Sequence, residues 1–128
     1  PDSSNAIDWR RKMEHADVFA YYKGLIQLRK NHPAFRLGDA DLVRRHLEFL
    51  PLEGSNVVAY HLKENAGGDA WGDIYVILNS RKEIAKVPVP EGRYTVVCKD
   101  GFISEQGLGT IYGPEVFVPA QSALIFYK

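Results

Sequence analysis

Acidic side chains are the first candidates for chemistry in this sequence, which holds 16 Asp and Glu residues. A carboxylate pair that cleaves a glycosidic bond must be about 5 Å or about 6.5 to 9.5 Å apart across the bond. In the second part of the chain the acidic residues fall mainly in turn-like stretches, where solvation of a surface charge explains them. These residues include Glu53, Glu64, Asp69, Asp100 and Glu105. Since nothing near them would desolvate one carboxyl group, the sequence predicts no catalytic residue here.

Histidines are the next candidates, as metal ligands. The four of them, His15, His32, His46 and His61, are 14 or more residues apart, so none shows the short spacing that places two ligands on one helix face. We interpret His32 as a partner for the negative C-terminal end of a helix and His61 as an outward-facing strand residue. The histidines therefore predict no metal site.

Two loop patterns superficially resemble ligand sites. Asn65, Asp69 and Asp73 could offer oxygen atoms to calcium, but two glycines and Trp71 interrupt them and the EF-hand pattern is absent. The glycines of residues 107–113 resemble a phosphate-binding loop, yet their spacing differs and no helix follows, so we interpret this segment as a loop between strands. We expect neither a metal nor a cofactor.

Three aromatic residues, Trp71, Phe102 and Tyr112, lie in loop-like stretches. Exposed flat rings are suited to stacking on sugars, but such rings also cap the end of a sandwich or dock it onto a neighbouring domain. We favour capping or docking over sugar binding. The single cysteine, Cys98, lies in an apolar run and is interpreted as a core residue, so it indicates no particular compartment.

A helix is predicted over residues 16–31, where apolar residues recur at steps of three and four. Pro33 prevents its continuation. Gly24 in mid-helix costs about 1 kcal/mol against alanine and indicates close approach of a neighbouring element. Asp39 is placed to cap a second, short helix that continues through Arg45.

Beyond residue 46 the pattern changes to short β-rich runs separated by turn residues. Strands at this spacing predict a mainly β protein, with an antiparallel β-sandwich preceded by one long α-helix. The run 74–78 is apolar on both faces and should be a central strand. The predicted strands are seven, at 46–50, 57–63, 73–79, 84–88, 93–98, 115–118 and 122–127.

Charge and hydropathy exclude two classes of partner. Sixteen basic residues balance 16 acidic ones, without a basic stripe, so nucleic acid is not expected. No apolar run approaches the about 18 residues of a membrane span. Because the chain opens on Pro1 and its only methionine is Met13, we expect it to belong to a longer product.

Three stretches together resemble a known family. Residues 2–9 read DSSNAIDW, residues 17–36 read DVFAYYKGLIQLRKNHPAFR, and residues 118–127 read VPAQSALIFY. They are similar to the end of the catalytic barrel and the last strands of type I pullulanases, α-1,6-glucan debranching enzymes of glycoside hydrolase family 13. The second stretch resembles a segment shared widely among family 13 enzymes, whereas residues 5–9 point to pullulanases within it.

This resemblance implies a division of the chain into residues 1–38, the end of the catalytic barrel, and residues 39–128, a C-terminal β-sandwich. The long helix would be the last helix of a truncated TIM barrel. The parent would hydrolyse α-1,6 linkages with retention of configuration, through carboxylates on earlier barrel strands that this chain lacks. Asp2 and Asn5 would lie in the loop after the last barrel strand and could touch sugar hydroxyls. Asn5 could instead cap the following turn.

The resemblance also implies partners. The helix would cover the barrel of the parent, which itself would bind α-glucan, and without that barrel it would fold back on the sandwich or self-associate. Two other functions stay open: an independent carbohydrate-binding module, and a protein-interaction sandwich unrelated to sugars.

Overall fold

The computed structural model describes residues 16–52 and 56–128, with side chains described from residue 20 onward. The helical elements are α1 (Ala16–Asn31), a 3-10 helix (Pro33–Arg36), α2 (Ala40–His46) and a second 3-10 turn (Ala66–Gly68). The strands are β1 Leu47–Phe49, β2 Val57–Leu62, β3 Ile74–Asn79, β4 Ala85–Pro88, β5 Arg93–Lys99, β6 Phe102–Ile103, β7 Gly109–Tyr112, β8 Glu115–Val118 and β9 Ser122–Tyr127. Across these residues no helix combines the length and apolar character needed to cross a membrane.

The strands form two antiparallel sheets of unequal size. The larger has seven strands in the order β1-β2-β3-β9-β5-β6, with β7 also pairing to β5, and the smaller is the pair β4-β8. The prediction of a mainly β, antiparallel protein is confirmed. The predicted count of seven strands was wrong, because β6 and β7 lie in segments that we had interpreted as loops. β6 has only two residues, and β7 follows Gly107, whose φ of 112° belongs to the left-handed region.

Each face of the large sheet packs against other elements of the chain. On one face it packs against β4 and β8, and on the other against α1 and the first 3-10 helix, giving two cores that we call the sheet-side core and the helix-side core. In β3, Tyr75 and Ile77 belong to the sheet-side core, whereas Ile74 and Val76 belong to the helix-side core. The prediction that this run forms a central strand is confirmed, since β3 lies between β2 and β9.

A β-bulge in β5 adjusts which side chains reach each core. The pairing with β9 shifts register between Val96 and Cys98, so one residue is inserted there. Val96 points into the sheet-side core, and the next two residues, Val97 and Cys98, both belong to the helix-side core. The bulge therefore enlarges the apolar surface on which α1 packs.

Helix α1 has the predicted bounds and packs closely on the edge of the sheet. Leu28 is 3% exposed in the helix-side core, and a Cβ atom at Gly24 would lie 3.0 Å from the Cβ of Ile103 in β6. The expected close neighbour of Gly24 is thus confirmed. The Asp39 cap of α2 is also confirmed, because its side chain accepts a hydrogen bond of 2.7 Å from the backbone N–H of Asp41.

Replacement of Gly24 tests this contact. We expect Gly24→Ala to destabilise the protein, because the steric clash of the added Cβ with Ile103 outweighs the gain in helix propensity. In an Ile103→Gly background, which removes that Cβ atom, the same change should stabilise by up to about 1 kcal/mol, since only the propensity remains. Urea unfolding of the four proteins of this double-mutant cycle measures the difference, and additive effects would contradict the contact.

Candidate functional site

His32 is the centre of a buried polar cluster directly after α1. Its side chain is 8% exposed. Its Nδ1 lies 2.9 Å from Oδ1 of Asp69 and its Nε2 lies 2.6 Å from Oε1 of Glu105. Because each ring nitrogen faces a carboxylate oxygen, the doubly protonated ring can donate a hydrogen bond to each. We call His32, Asp69 and Glu105 the His32 cluster.

Asp69 is the most enclosed member of the cluster. It follows the second 3-10 turn, and its side chain has 0% exposure. Its two oxygens accept hydrogen bonds from the backbone N–H groups of Ala34 (3.2 Å) and Trp71 (2.9 Å), in addition to the contact with His32. The two oxygens of Asp69, which the sequence offered as possible calcium ligands, thus accept hydrogen bonds from the protein itself.

A stack of aromatic rings lies against the His32 cluster. The centroid of the His32 ring is 3.6 Å from that of Trp71, and Trp71 stacks in turn on Tyr127 at 4.0 Å with an angle of 6°. Both stacking partners of Trp71 belong to this chain, so Trp71 caps the end of the sheet. Capping within the domain is the role that the sequence favoured for this residue over sugar stacking.

The geometry of the cluster suits positioning and not hydrolysis. A substrate cannot reach the fully buried carboxylate of Asp69, as a glycosidase pair would require. The cluster instead ties the end of α1 to the loop that carries Asp69 and to the segment between β6 and β7, where Asn31 also donates a hydrogen bond of 3.0 Å to Glu105. Such a network holds the helix in one orientation on the sheet.

The structure corrects the sequence interpretation of these residues. Asp69 is 2% exposed and Glu105 is half-buried, so neither is a freely solvated turn residue. His32 does more than face the end of its own helix. No local pattern could have indicated the cluster, because its partners are separated by 37 and 73 residues along the chain.

His61 also differs from its interpretation as an outward-facing residue. Its Nε2 lies 2.7 Å from Oδ1 of Asp73, and its ring stacks on Tyr75 with centroids 4.2 Å apart. Its side chain is only 17% exposed. Within residues 16–52 and 56–128, no three His, Cys, Asp or Glu side chains are grouped so that they could hold a metal ion.

The outer face of α1 carries exposed apolar residues. Tyr21, Leu25 and Leu28 line the inner side, whereas Tyr22 is 60% exposed and Ile26 is 62% exposed. Every charged residue between positions 20 and 31 is a cation, and all of them are exposed: Lys23, Arg29 and Lys30. The helix therefore folds back on the sheet with one face, as expected, and presents a second apolar face with a cationic border.

The other aromatic candidates are exposed on the sheet. Phe102 in β6 is 65% exposed and Tyr112 in β7 is 62% exposed. Their rings are accessible for docking or for stacking on a ligand, and both roles stay predictions.

Cys98 is a core residue, as predicted. It is 0% exposed, and its Sγ lies 3.9 Å from the Tyr21 hydroxyl. Burial raises the pKa of the Cys98 thiol. Burial, together with the neighbouring thiol, raises the pKa of Tyr21 to about 12. A thiol held neutral in this way is a poor nucleophile.

The sequence candidates Asp2 and Asn5 lie outside the described residues. Their proposed proximity to a sugar-binding cleft stays a prediction.

Comparison with known proteins finds similarity to one family. Residues 43–101 match the family model described as the pullulanase all-beta domain. The chain is 34% identical over 122 residues to a pullulanase of Bacillus subtilis (strain 168), and the match covers 86% of this chain and 17% of that protein.

Solved pullulanase structures give the same result. The structure of the pullulanase from Bacillus acidopullulyticus superposes with a TM-score of 0.86 at 40% identity and covers 94% of this chain and 15% of that one. The type I pullulanase from Bacillus subtilis, solved with maltose, gives a TM-score of 0.81 at 32% identity, with 93% and 16% covered. The chain thus spans less than one fifth of the length of these relatives.

Removal of the Asp69 carboxylate tests the His32 cluster. We expect Asp69→Ala to lower the free energy of unfolding by about 3 to 5 kcal/mol, because it leaves a buried imidazole and two backbone N–H groups without their acceptor. Glu91→Ala, at an exposed position, should change it by less than about 0.5 kcal/mol. Urea unfolding of both variants measures the difference, and equal effects would rule out a stabilising cluster.

The Cys98 site predicts both reactivity and pH dependence. We expect a thiol reagent to label the native protein only as fast as it unfolds. The pKa values of Cys98 and Tyr21 are raised in the folded protein from their usual values of 9.0 and 10.0. The fold therefore keeps its full stability below those values and loses stability as the pH rises through them towards about 12. Urea unfolding at increasing pH measures the loss. Rapid labelling under native conditions would contradict the buried site.

Proposed function

We propose, on the premise that this chain corresponds to the C-terminal part of a type I pullulanase, that it is a non-catalytic segment that docks onto the catalytic barrel of a debranching enzyme and stabilises it. The parent hydrolyses α-1,6-glucosidic linkages in pullulan, amylopectin or glycogen. Residues 1–38 form the end of its barrel and residues 39–128 its C-terminal sandwich. Helix α1 is the last helix of that barrel.

The exposed pair Tyr22 and Ile26 carries this proposal. These residues lie four positions apart on one face of α1, whose opposite face is already packed on the sheet. A helix that covers only one layer needs a single apolar stripe. A second stripe is explained if the helix lies between two layers, the sheet of this chain and the barrel of the parent.

The His32 cluster supports the same function. It fixes the end of α1 to two loops of the sandwich through contacts of 2.9 and 2.6 Å. A barrel helix held in this way would link the catalytic region to the sandwich as one body. Asp2 and Asn5, at the start of the chain, would then reach the substrate cleft of the parent.

The alternative of an independent carbohydrate-binding module receives less support. Trp71, the largest of the candidate rings, stacks on residues of its own chain. The carboxylates of the His32 cluster are likewise bound internally and do not form a sugar-binding surface.

Polar replacement of the outer α1 face tests the docking. In the full-length enzyme, Tyr22→Ser with Ile26→Ser should lower the unfolding temperature and leave hydrolysis of pullulan at low temperature unchanged, because each buried apolar side chain contributes about 1.5 to 3 kcal/mol. The matched control is Ile84→Ser with Phe117→Ser, two residues outside α1 that are 64% and 62% exposed. An equal effect of the two double variants on the unfolding temperature would exclude docking through α1.

A further inference from the structure

Part of the sheet face that carries α1 is left uncovered. Phe49 is directly opposite Tyr60, Val58 is opposite Leu78, and Leu78 is opposite Ala123. Opposite residues in antiparallel strands lie on the same face, as do residues two apart in one strand, so these five side chains form one surface. We call Phe49, Val58, Tyr60, Leu78 and Ala123 the open face.

The open face continues the helix-side core. Tyr60 and Ala123 are partly buried against that core, and Leu78 is two residues from its member Val76. Away from the core the surface becomes exposed: Phe49 is 64%, Val58 47% and Leu78 46% exposed. Single exposed apolar residues are ordinary, but a contiguous group beside a core indicates an interaction site.

A groove runs between α1 and the open face. Its volume is about 330 Å³, and its walls include Tyr21 and Leu25 of the helix, Phe35 of the 3-10 helix, and Leu78 of the sheet. Arg29 is the one charged side chain among the lining residues. The groove is therefore apolar and has a single cation at its border, which suits an apolar occupant with a carboxylate.

The position of α1 determines what fits beside it. Tyr21 and Gly24 contact β5 and β6, at one side of the sheet, whereas the open face lies mainly on β1, β2 and β3 at the other side. Neighbouring strands are about 4.8 Å apart and an α-helix with its side chains is about 10 to 12 Å wide. The exposed parts of β1, β2 and β3 thus offer about the width of one more helix.

We infer that a second helix, contributed by the catalytic region of the parent, lies beside α1 on the open face and fills the groove. The inference rests on the proposed function and adds a separate contact surface to it. The second helix comes from the part of the parent that lies outside this chain. The chain itself spans only 15% and 17% of two pullulanase relatives. The occupying helix presents apolar residues to Phe49 and Leu78 and an acidic residue to Arg29.

Hydroxyl-radical footprinting of the full-length protein tests both surfaces in one experiment. Oxidation of each residue is measured by mass spectrometry. We expect Phe49 and Leu78 to react several-fold more slowly than their exposure in this chain implies. Ile84 and Phe117, which are 64% and 62% exposed in this chain, serve as controls for normal reactivity.

The outcomes separate the inference from the proposed function. If Tyr22 and Ile26 are protected while Phe49 and Leu78 react like the controls, α1 docks on the barrel and the second helix is overturned. If Tyr22 and Ile26 also react like the controls, the proposed function fails as well. Protection of the open face that disappears on dilution would assign it to a second copy of the protein and would also overturn the inference.

Variants of the full-length protein provide an independent measurement. Phe49→Gln with Leu78→Gln should lower its unfolding temperature, because the contact with the second helix is lost. The control Ile84→Gln, at a residue that is 64% exposed away from the open face, should leave it unchanged. An unfolding temperature of the double variant equal to that of the control would overturn the inference.

Discussion

Packing on both faces of the large sheet is the constraint on which the structure depends. Successive residues of β3 alternate between two cores, and Ile74 and Ile77, one in each core, are both 0% exposed. A sheet with two apolar faces needs packing partners on both sides, because a large exposed apolar surface is unfavourable in water. The β4-β8 pair covers one face. Helix α1 is therefore a required layer of the fold.

The His32 cluster determines how that layer is oriented. Apolar contacts hold α1 on the sheet but are not directional, whereas the hydrogen bonds of His32 to Asp69 and Glu105 fix the end of the helix at defined atoms. The burial of these polar groups is compensated only while each keeps its hydrogen-bond partner. Because the end of the helix is fixed in this way, Tyr22 and Ile26 are held on the side of α1 that faces away from the sheet.

The features that could be predicted from the sequence are those that depend on residues close together along the chain. The bounds of α1, the Asp39 cap and the central position of β3 follow from local spacing, and the structure confirms them. Strand β6 has two residues and owes its existence to pairing with β5, so it carries no pattern of its own. The His32 cluster likewise joins residues that are distant along the chain. Tertiary context, and not propensity, decides both features.

The apolar pattern of α1 is the pattern expected of a helix that lies between two layers, as the proposed function requires. The adjacent pairs Tyr21-Tyr22 and Leu25-Ile26 each place one side chain on the inner face and one on the outer face, because successive residues are rotated by about 100°. A helix at the surface of a complete protein gains nothing from the outer residue of each pair. In a helix between two layers, both residues of each pair are buried. The open face extends the same reasoning to the sheet, since it lies beside α1 and exposes apolar side chains on the same side of β2 and β3. Both surfaces therefore consist of exposed apolar side chains, which is the composition that the proposed docking requires.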